Sequence, residues 1–184
     1  ASVNARSIAH DASCVIDAEG AVLLGTCPGK PVLDFVGSRN FVMNGGLISG
    51  DGTSKPSIGI LYGRDDSLTQ ADCVTFNAVK LDGHFTTAAL YNLGAETDTH
   101  LHPSYYNKET GARVVIIDGA ACFGANSDHT LPSANTAFSC IQHTFVGADI
   151  RGPANATAEA VAITHANQIR FVNSYIACTN AFAV

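Results

Sequence analysis

Two kinds of octapeptide alternate along this chain without a break, and that alternation restricts the fold more than any other feature. The first kind reads VLDFVGSR from Val32, SIGILYGR from Ser57, AALYNLGA from Ala88, RVVIIDGA from Arg113 and AVAITHAN from Ala160. The second reads MNGGLISG from Met43, FNAVKLDG from Phe76, LHPSYYNK from Leu101, FVGADIRG from Phe145 and FVNSYIAC from Phe171. A repeat of about 20–50 residues marks a solenoid, in which one unit cannot bury its apolar face until a neighbour stacks on it. Both kinds are β-rich, and no convincing 3.6-residue apolar period lies between them. Each pair therefore predicts one coil of parallel strands, and the chain an all-β, right-handed parallel β-helix of about five to six coils.

The apolar positions agree with this reading. In the first kind, positions two and four read Leu33/Phe35, Ile58/Ile60, Ala89/Tyr91, Val114/Ile116 and Val161/Ile163, the alternation of a strand with one buried face. In the second, positions one and six read Met43/Ile48, Phe76/Leu81, Leu101/Tyr106, Phe145/Ile150 and Phe171/Ile176. Stacked coils lie about 4.8 Å apart, so like residues meet like above and below. Residues 11–25 form a less regular earlier coil with Val15, Ile16, Val22 and Leu24 as core candidates. The chain reads as a single domain, 1–184, with an irregular start over 1–31 and regular coils over 32–184.

Spacing separates the two corners. From the second kind to the next first kind the starts lie 14, 12, 12 and 15 residues apart, a nearly fixed turn. From first to second they lie 11, 19, 13, 32 and 11 apart, so all insertions fall at one corner. Insertions confined to one face of a solenoid mark a binding face.

Charge and cysteine content remove several classes. A formal charge of −6 with no Lys/Arg run offers no source for phosphate attraction, which argues against nucleic acid and anionic membrane partners. Apolar runs such as Arg113–Ile117 fall far short of the roughly 20 residues of a spanning helix, and Ala1–His10 shows no signal-peptide pattern. The six cysteines match neither a CxxC knuckle nor a compact disulfide scaffold, and are expected to be mostly buried free thiols. Asn155-Ala156-Thr157 spells a glycosylation triplet and reads as a plain loop.

AALYNLGAE (88–96), LHPSYYNKETGARVVIIDG (101–119) and EAVAITHANQIRFVNSYI (159–176) resemble rungs of bacteriophage tailspikes and of pectate-lyase-like parallel β-helices. The resemblance spans Val32 to Ile176. It implies a homotrimer on the virion, assembled in the host cytoplasm, that binds and often cleaves bacterial capsule or lipopolysaccharide. It carries over no catalytic motif and no cofactor. Because the sequence stops at Asn180–Val184 directly after a strand, a fragment, or a subunit with covered ends, is expected. Apolar residues at positions three and five of the first kind, namely Val36, Leu61, Leu90, Val115, Ile117 and Ala162, are expected to form an outer strip, covered by another subunit or by loops.

The insertion corner gathers Arg64, Asp65, Asp66, Asp72, Glu96, Asp98, His100, Asp118, Asp128 and His129. Asp65, Asp66, Glu96, Asp98 and Asp128 are the candidate catalytic acids, since two carboxyls about 6.5–9.5 Å apart suit an inverting glycoside hydrolase. Arg64, His100 and His129 are candidate substrate contacts beside them. The same residue types are ordinary turn formers, which leaves a solvated corner as the alternative. His100 and His102 with Asp98 lack an evident fourth ligand, and no metal is assigned. A second surface comes from outward positions five and seven of the second kind: Lys80, Asp82, Tyr105, Asp149, Arg151 and Tyr175. Rings beside charged groups suit sugars, whose C–H faces pack on aromatics while hydroxyls take hydrogen bonds. The expected function is therefore a tailspike or tail-fibre domain that binds surface polysaccharide and acts as a hydrolase or lyase, or a non-catalytic receptor-binding or structural segment of the same shape.

Overall fold

The computed structural model describes residues 3–4, 14–36, 41–63, 74–93, 100–101, 104–118, 143–164, 166 and 168–183. Among the described residues there are strands, turns and bends and no helix. The chain opens with β1 (Val3–Asn4), β2 (Cys14–Asp17) and β3 (Val22–Gly25). Next come β4 (Pro31–Val36), β5 (Phe41–Asn44) and β6 (Leu47–Gly50), then β7 (Ile58–Gly63), β8 (Thr75–Asn77) and β9 (Lys80–Gly83). The pattern repeats in β10 (Ala88–Leu93), β11 (His100–Leu101) and β12 (Ser104–Asn107), and again in β13 (Arg113–Asp118), β14 (Thr144–Val146) and β15 (Asp149–Arg151). It ends with β16 (Glu159–Thr164), β17 (Arg170–Val172), β18 (Tyr175–Ala177) and β19 (Asn180–Ala183).

Every third strand joins the same sheet, and all pairings are parallel. The five octapeptides of the first kind supply β4, β7, β10, β13 and β16 of a seven-stranded first sheet, β1-β4-β7-β10-β13-β16-β19. Those of the second kind fold in half and supply all but the first strand of a second sheet, β2-β5-β8-β11-β14-β17, and of a third, β3-β6-β9-β12-β15-β18. The chain is thus a parallel β-solenoid with three sides. Its closely packed part comprises about four turns, β4 to β15, slightly fewer than expected. In β2, β3, β17 and β18 the inward residues Ile16, Leu23, Phe171 and Ile176 are only partly buried.

The fold between the second and third sheets is a two-residue bend from β5 to β6 and again from β8 to β9, β14 to β15 and β17 to β18. Its first residue is left-handed each time: Gly45 (φ 64°), Ala78 (φ 54°), Gly147 (φ 60°) and Asn173 (φ 51°). Gly and Asn adopt that conformation readily, whereas an alanine Cβ is crowded there. The bend does not interrupt the ladder, because Gly45 N–H donates to Asn77 O at 2.8 Å and Gly147 N–H to Val172 O at 2.8 Å. The second bend residue turns inward, and Val79 and Ala148 are buried.

The inward rows carry the core. On the second sheet Ile16, Met43 and Phe76 are in register, as are Phe145 and Phe171, whose rings stack at 4.8 Å and 6°. Leu101 departs from this row: it pairs with Asn77 and Val146, and His100 takes the place opposite Phe145. The same one-residue shift runs into the third sheet, where Ile48, Leu81, Tyr105, Ile150 and Ile176 form the inward row. Tyr105 is therefore fully buried, and Tyr106, expected inside, faces out.

The first sheet needs a similar correction. Leu33, Ile60, Leu90, Val115 and Val161 make one inward row and Phe35, Tyr62, Asn92, Ile117 and Ile163 the next. Leu90, Val115 and Ile117 are core residues, not an outer strip. The outward row is Asp34, Leu61, Tyr91, Ile116 and Ala162, so Tyr91 and Ile116 exchange roles with them. Val32, Ala89, Val114 and Ala160 precede the inward row and are buried as well, since these strands start inside the corner with the third sheet.

At that corner small residues stack as Gly25, Gly50, Gly83 and Asn107. A Cβ on Gly83 would lie 2.2 Å from Gly50 N, so the row admits no side chain there. Asn107 fills its own place by using its whole amide. Its Nδ2 donates to Phe85 O at 2.9 Å and Arg113 O at 2.7 Å, while its Oδ1 accepts from Phe85 N and Glu109 N, both at 3.2 Å.

Phe145→Ala empties a fully buried site between Tyr105 and Phe171 and should cost about 3–5 kcal/mol in urea unfolding. Ala78→Gly should raise stability by up to about 1 kcal/mol by relieving the left-handed alanine, while Gly147→Ala should lower it by a similar amount. Equal effects of the same sign would contradict the bend geometry.

Candidate functional site

The outward face of the third sheet assembles the groups of the second surface. Two rows run across the turns: Lys80, Ser104, Asp149 and Tyr175, and beside it Asp82, Tyr106, Arg151 and Ala177. Alternation along each strand turns both rows outward, because the residues between them, such as Leu81 and Ile150, fill the core.

Arg151 organises this face. Its Nε donates to Asp149 Oδ1 at 2.7 Å and its Nη2 to Asp149 Oδ2 at 3.0 Å, a two-point pairing. Its guanidinium carbon lies 5.0 Å from the Tyr175 ring centre and 5.8 Å from that of Tyr106, within the range of cation–π attraction. The Tyr106 hydroxyl donates to Asp149 Oδ2 at 2.7 Å. Lys108 Nζ lies 2.9 Å from Asp82 Oδ1. Around these groups is a cleft of about 420 Å³ lined by Asp82, Tyr106, Lys108, Arg151 and Pro153.

The electrostatics suit holding a ligand rather than transferring protons. The hydrogen bond from Arg151 depresses the Asp149 carboxyl below the usual carboxylate range, against an opposing effect of burial, and Tyr106 assists. The hydrogen bond that Tyr106 donates to Asp149 raises the Tyr106 phenol, and Arg151 is raised by its own bond to Asp149. At neutral pH Asp149 is thus a fixed carboxylate and Tyr106 a fixed hydroxyl, neither poised as a general acid.

A second cluster sits at the corner leading back to the first sheet. Glu109 reaches Lys55 Nζ at 3.0 Å through Oε2 and His84 Nδ1 at 2.5 Å through Oε1, tying three successive turns. Burial pushes the Glu109 carboxyl up, but Lys55 and His84 outweigh it and leave it below its ordinary value. On the first sheet, the Tyr91 hydroxyl contacts Asp118 Oδ2 at 3.3 Å and Arg113 pairs with Glu159 at 3.0 Å. Cys14, Cys27 and Cys178 are free thiols.

Of the candidate residues read from the sequence, Lys80, Asp82, Asp149, Arg151 and Tyr175 lie together on the third-sheet face. Tyr105 does not, and its phenol is pushed up by complete burial. The structure adds Tyr106 and Lys108. One signal could have found them: counted from Leu101, position eight of the second kind places Lys108 in a row otherwise made of Gly50, Gly83, Gly152 and Cys178. Counted from His100, the same position holds Asn107, and Tyr106 moves outward. The candidate acids Asp65, Asp66, Glu96, Asp98 and Asp128, together with Arg64, Asp72, His102 and His129, lie outside the described residues. His100 belongs to β11 by its backbone, and its side chain is outside them too.

Asp149 provides a pH test. Its folded value is depressed, so it stabilises the fold above the ordinary aspartate value of about 4 and loses that contribution as pH falls through the lower folded value. Wild type and Asp149→Asn should therefore differ in thermal stability near pH 6, and the gap should shrink as pH is lowered below the ordinary aspartate value. A gap that stays constant over that range would contradict the pairing. Comparison with protein families, characterised proteins and solved structures finds no match to this chain.

Proposed function

We propose that this chain is a β-helical segment of a phage tailspike or tail fibre, trimeric on the virion and assembled in the host cytoplasm, that binds bacterial surface polysaccharide. The observation that carries the reading is the Tyr106–Arg151–Tyr175 strip with its adjoining cleft. Half-exposed rings give a sugar ring an apolar platform, and a cation and carboxylates beside them supply hydrogen-bond donors and acceptors at fixed positions.

The strip is assigned binding rather than cleavage. Asp149 and Glu109 are held ionised by their partners, while a glycosidase needs one carboxyl kept protonated. Cleavage remains assigned to Asp65, Asp66, Glu96, Asp98 and Asp128, and is read separately as release of reducing ends.

The test is retention of the purified protein on a panel of immobilised capsular polysaccharides and lipopolysaccharides. Wild type should bind at least one, and Tyr106→Ala, Arg151→Ala and Tyr175→Ala should each weaken it by about tenfold or more, equivalent to about 1.4 kcal/mol. Lys30→Ala, an exposed change away from the strip, should leave it unaltered. Retention of no glycan, or undiminished binding by all three of these variants, would falsify the proposal.

A further inference from the structure

A second cleft, of about 560 Å³, lies along the bend between the second and third sheets in the earlier turns of the solenoid. Three features shape it. Its floor is the bend itself, where Gly45 and Gly46 carry no side chains and a Cβ on either would lie 3.0 Å from Glu19 Cα or Ala18 Cβ. One wall is apolar: Val22 and Leu47 stand in register, and Val22 is 64% exposed. The other wall is a ladder of amides, in which Asn77 Nδ2 donates to Asn44 Oδ1 at 2.9 Å one turn away. That bond engages one proton of Asn77 and the oxygen of Asn44. Among the described residues the Asn44 amide protons and the Asn77 side-chain oxygen Oδ1 have no other partner, and both residues, partly exposed, line the cleft.

We infer that this groove is a second saccharide site, which takes an extended, uncharged stretch of a linear polysaccharide lying parallel to the solenoid axis. A sugar hydroxyl both donates and accepts, and the amide ladder offers one function of each kind. Its polar groups recur at the rung spacing of about 4.8 Å, close to the length of one sugar ring in a linear chain. The C–H face of such a ring covers Val22 and Leu47, removing exposed apolar surface from water. Glu19 and Lys80 flank the amides with opposite charges, so the lining of the cleft itself carries no net charge, and Asp17 stands in register with Asn44 beyond it.

The groove is also continuous with the strip. The outward row that begins with Val22 and Leu47 passes through Lys80, Ser104 and Asp149 to Tyr175. One linear chain can therefore occupy both, spanning five rung steps, or about 24 Å. This inference rests on the glycan-binding reading of the strip and adds a length requirement to it.

The experiment measures affinity for size-graded oligosaccharides cut from capsular polysaccharide and O-antigen. Ala21, exposed at the groove wall, is changed to Trp to fill it, and Asn77→Ala removes an amide without adding bulk. Melting curves confirm that both variants fold. Wild-type affinity should rise with chain length, and both variants should lose about tenfold for long oligosaccharides while binding the shortest bound ones as wild type does. Length-independent binding, or long chains bound equally by Ala21→Trp, overturns the groove and leaves the strip standing. Retention of extended uncharged peptides by wild type but not by Ala21→Trp, without any effect on sugars, overturns it in favour of a protein partner. If wild type binds no oligosaccharide of any length, the strip reading fails and the groove fails with it.

Discussion

The parallel hydrogen-bond ladder between successive turns is the interaction on which the rest of this molecule depends. It holds neighbouring strands about 4.8 Å apart, so each side chain lies over its equivalent in the next turn and becomes part of a row. Rows, not single residues, are what stabilise the fold. Phe145 is buried because Tyr105 and Phe171 pack on it, and Phe76 because Phe41 and Tyr62 do. The stacking that builds the interior also aligns the exterior, which is why Asp149, Arg151, Tyr106 and Tyr175, from three different turns, meet on one face.

Polar groups inside the rows show how strict this constraint is. Asn107 enters a row of small corner residues only because its amide replaces backbone partners on both sides. Tyr62 and Asn92 occupy one inward row of the first sheet, and both approach His143 Nδ1, at 3.4 and 3.3 Å, so the three buried polar side chains share a cluster. A hydrogen-bonded cluster of this kind fixes which residue stacks on which more sharply than a purely apolar row does. At the surface the Lys55–Glu109–His84 contacts tie the same turns from outside.

The solenoid was legible in the sequence because its signal is redundant: five pairs of segments repeat one pattern, and any single failure is outvoted by the rest. Position within a turn was less so. LHPSYYNK offers Leu101 as a plausible core residue and sets two tyrosines side by side, so apolar alternation reads equally well in either register. The error of one residue moved Tyr105 to the surface and hid Tyr106, since every such shift exchanges the faces of a strand. A similar ambiguity affects AALYNLGA and RVVIIDGA, where apolar residues occupy both parities and period two loses its meaning. The site was legible as a set of strands, and Lys80, Asp82, Asp149, Arg151 and Tyr175 were placed on the right face. Its internal wiring, with Arg151 gripping Asp149 between two rings, depends on neighbours in other turns and has no counterpart in local sequence. Nor does the sequence reveal that the second octapeptide bends in half, because Gly45, Ala78, Gly147 and Asn173 share a backbone angle rather than a residue type.

The register of the third turn decides whether the proposed face exists, and it can be measured by cross-linking. With native cysteines replaced by alanine, Tyr106→Cys and Arg151→Cys should form a disulfide under mild oxidation, because parallel neighbours about 4.8 Å apart fall within disulfide reach. Tyr105→Cys with Arg151→Cys should not, since the two side chains stand on opposite faces of the sheet. Efficient bridging of the Tyr105 pair, with none of the Tyr106 pair, would contradict the stacking described here.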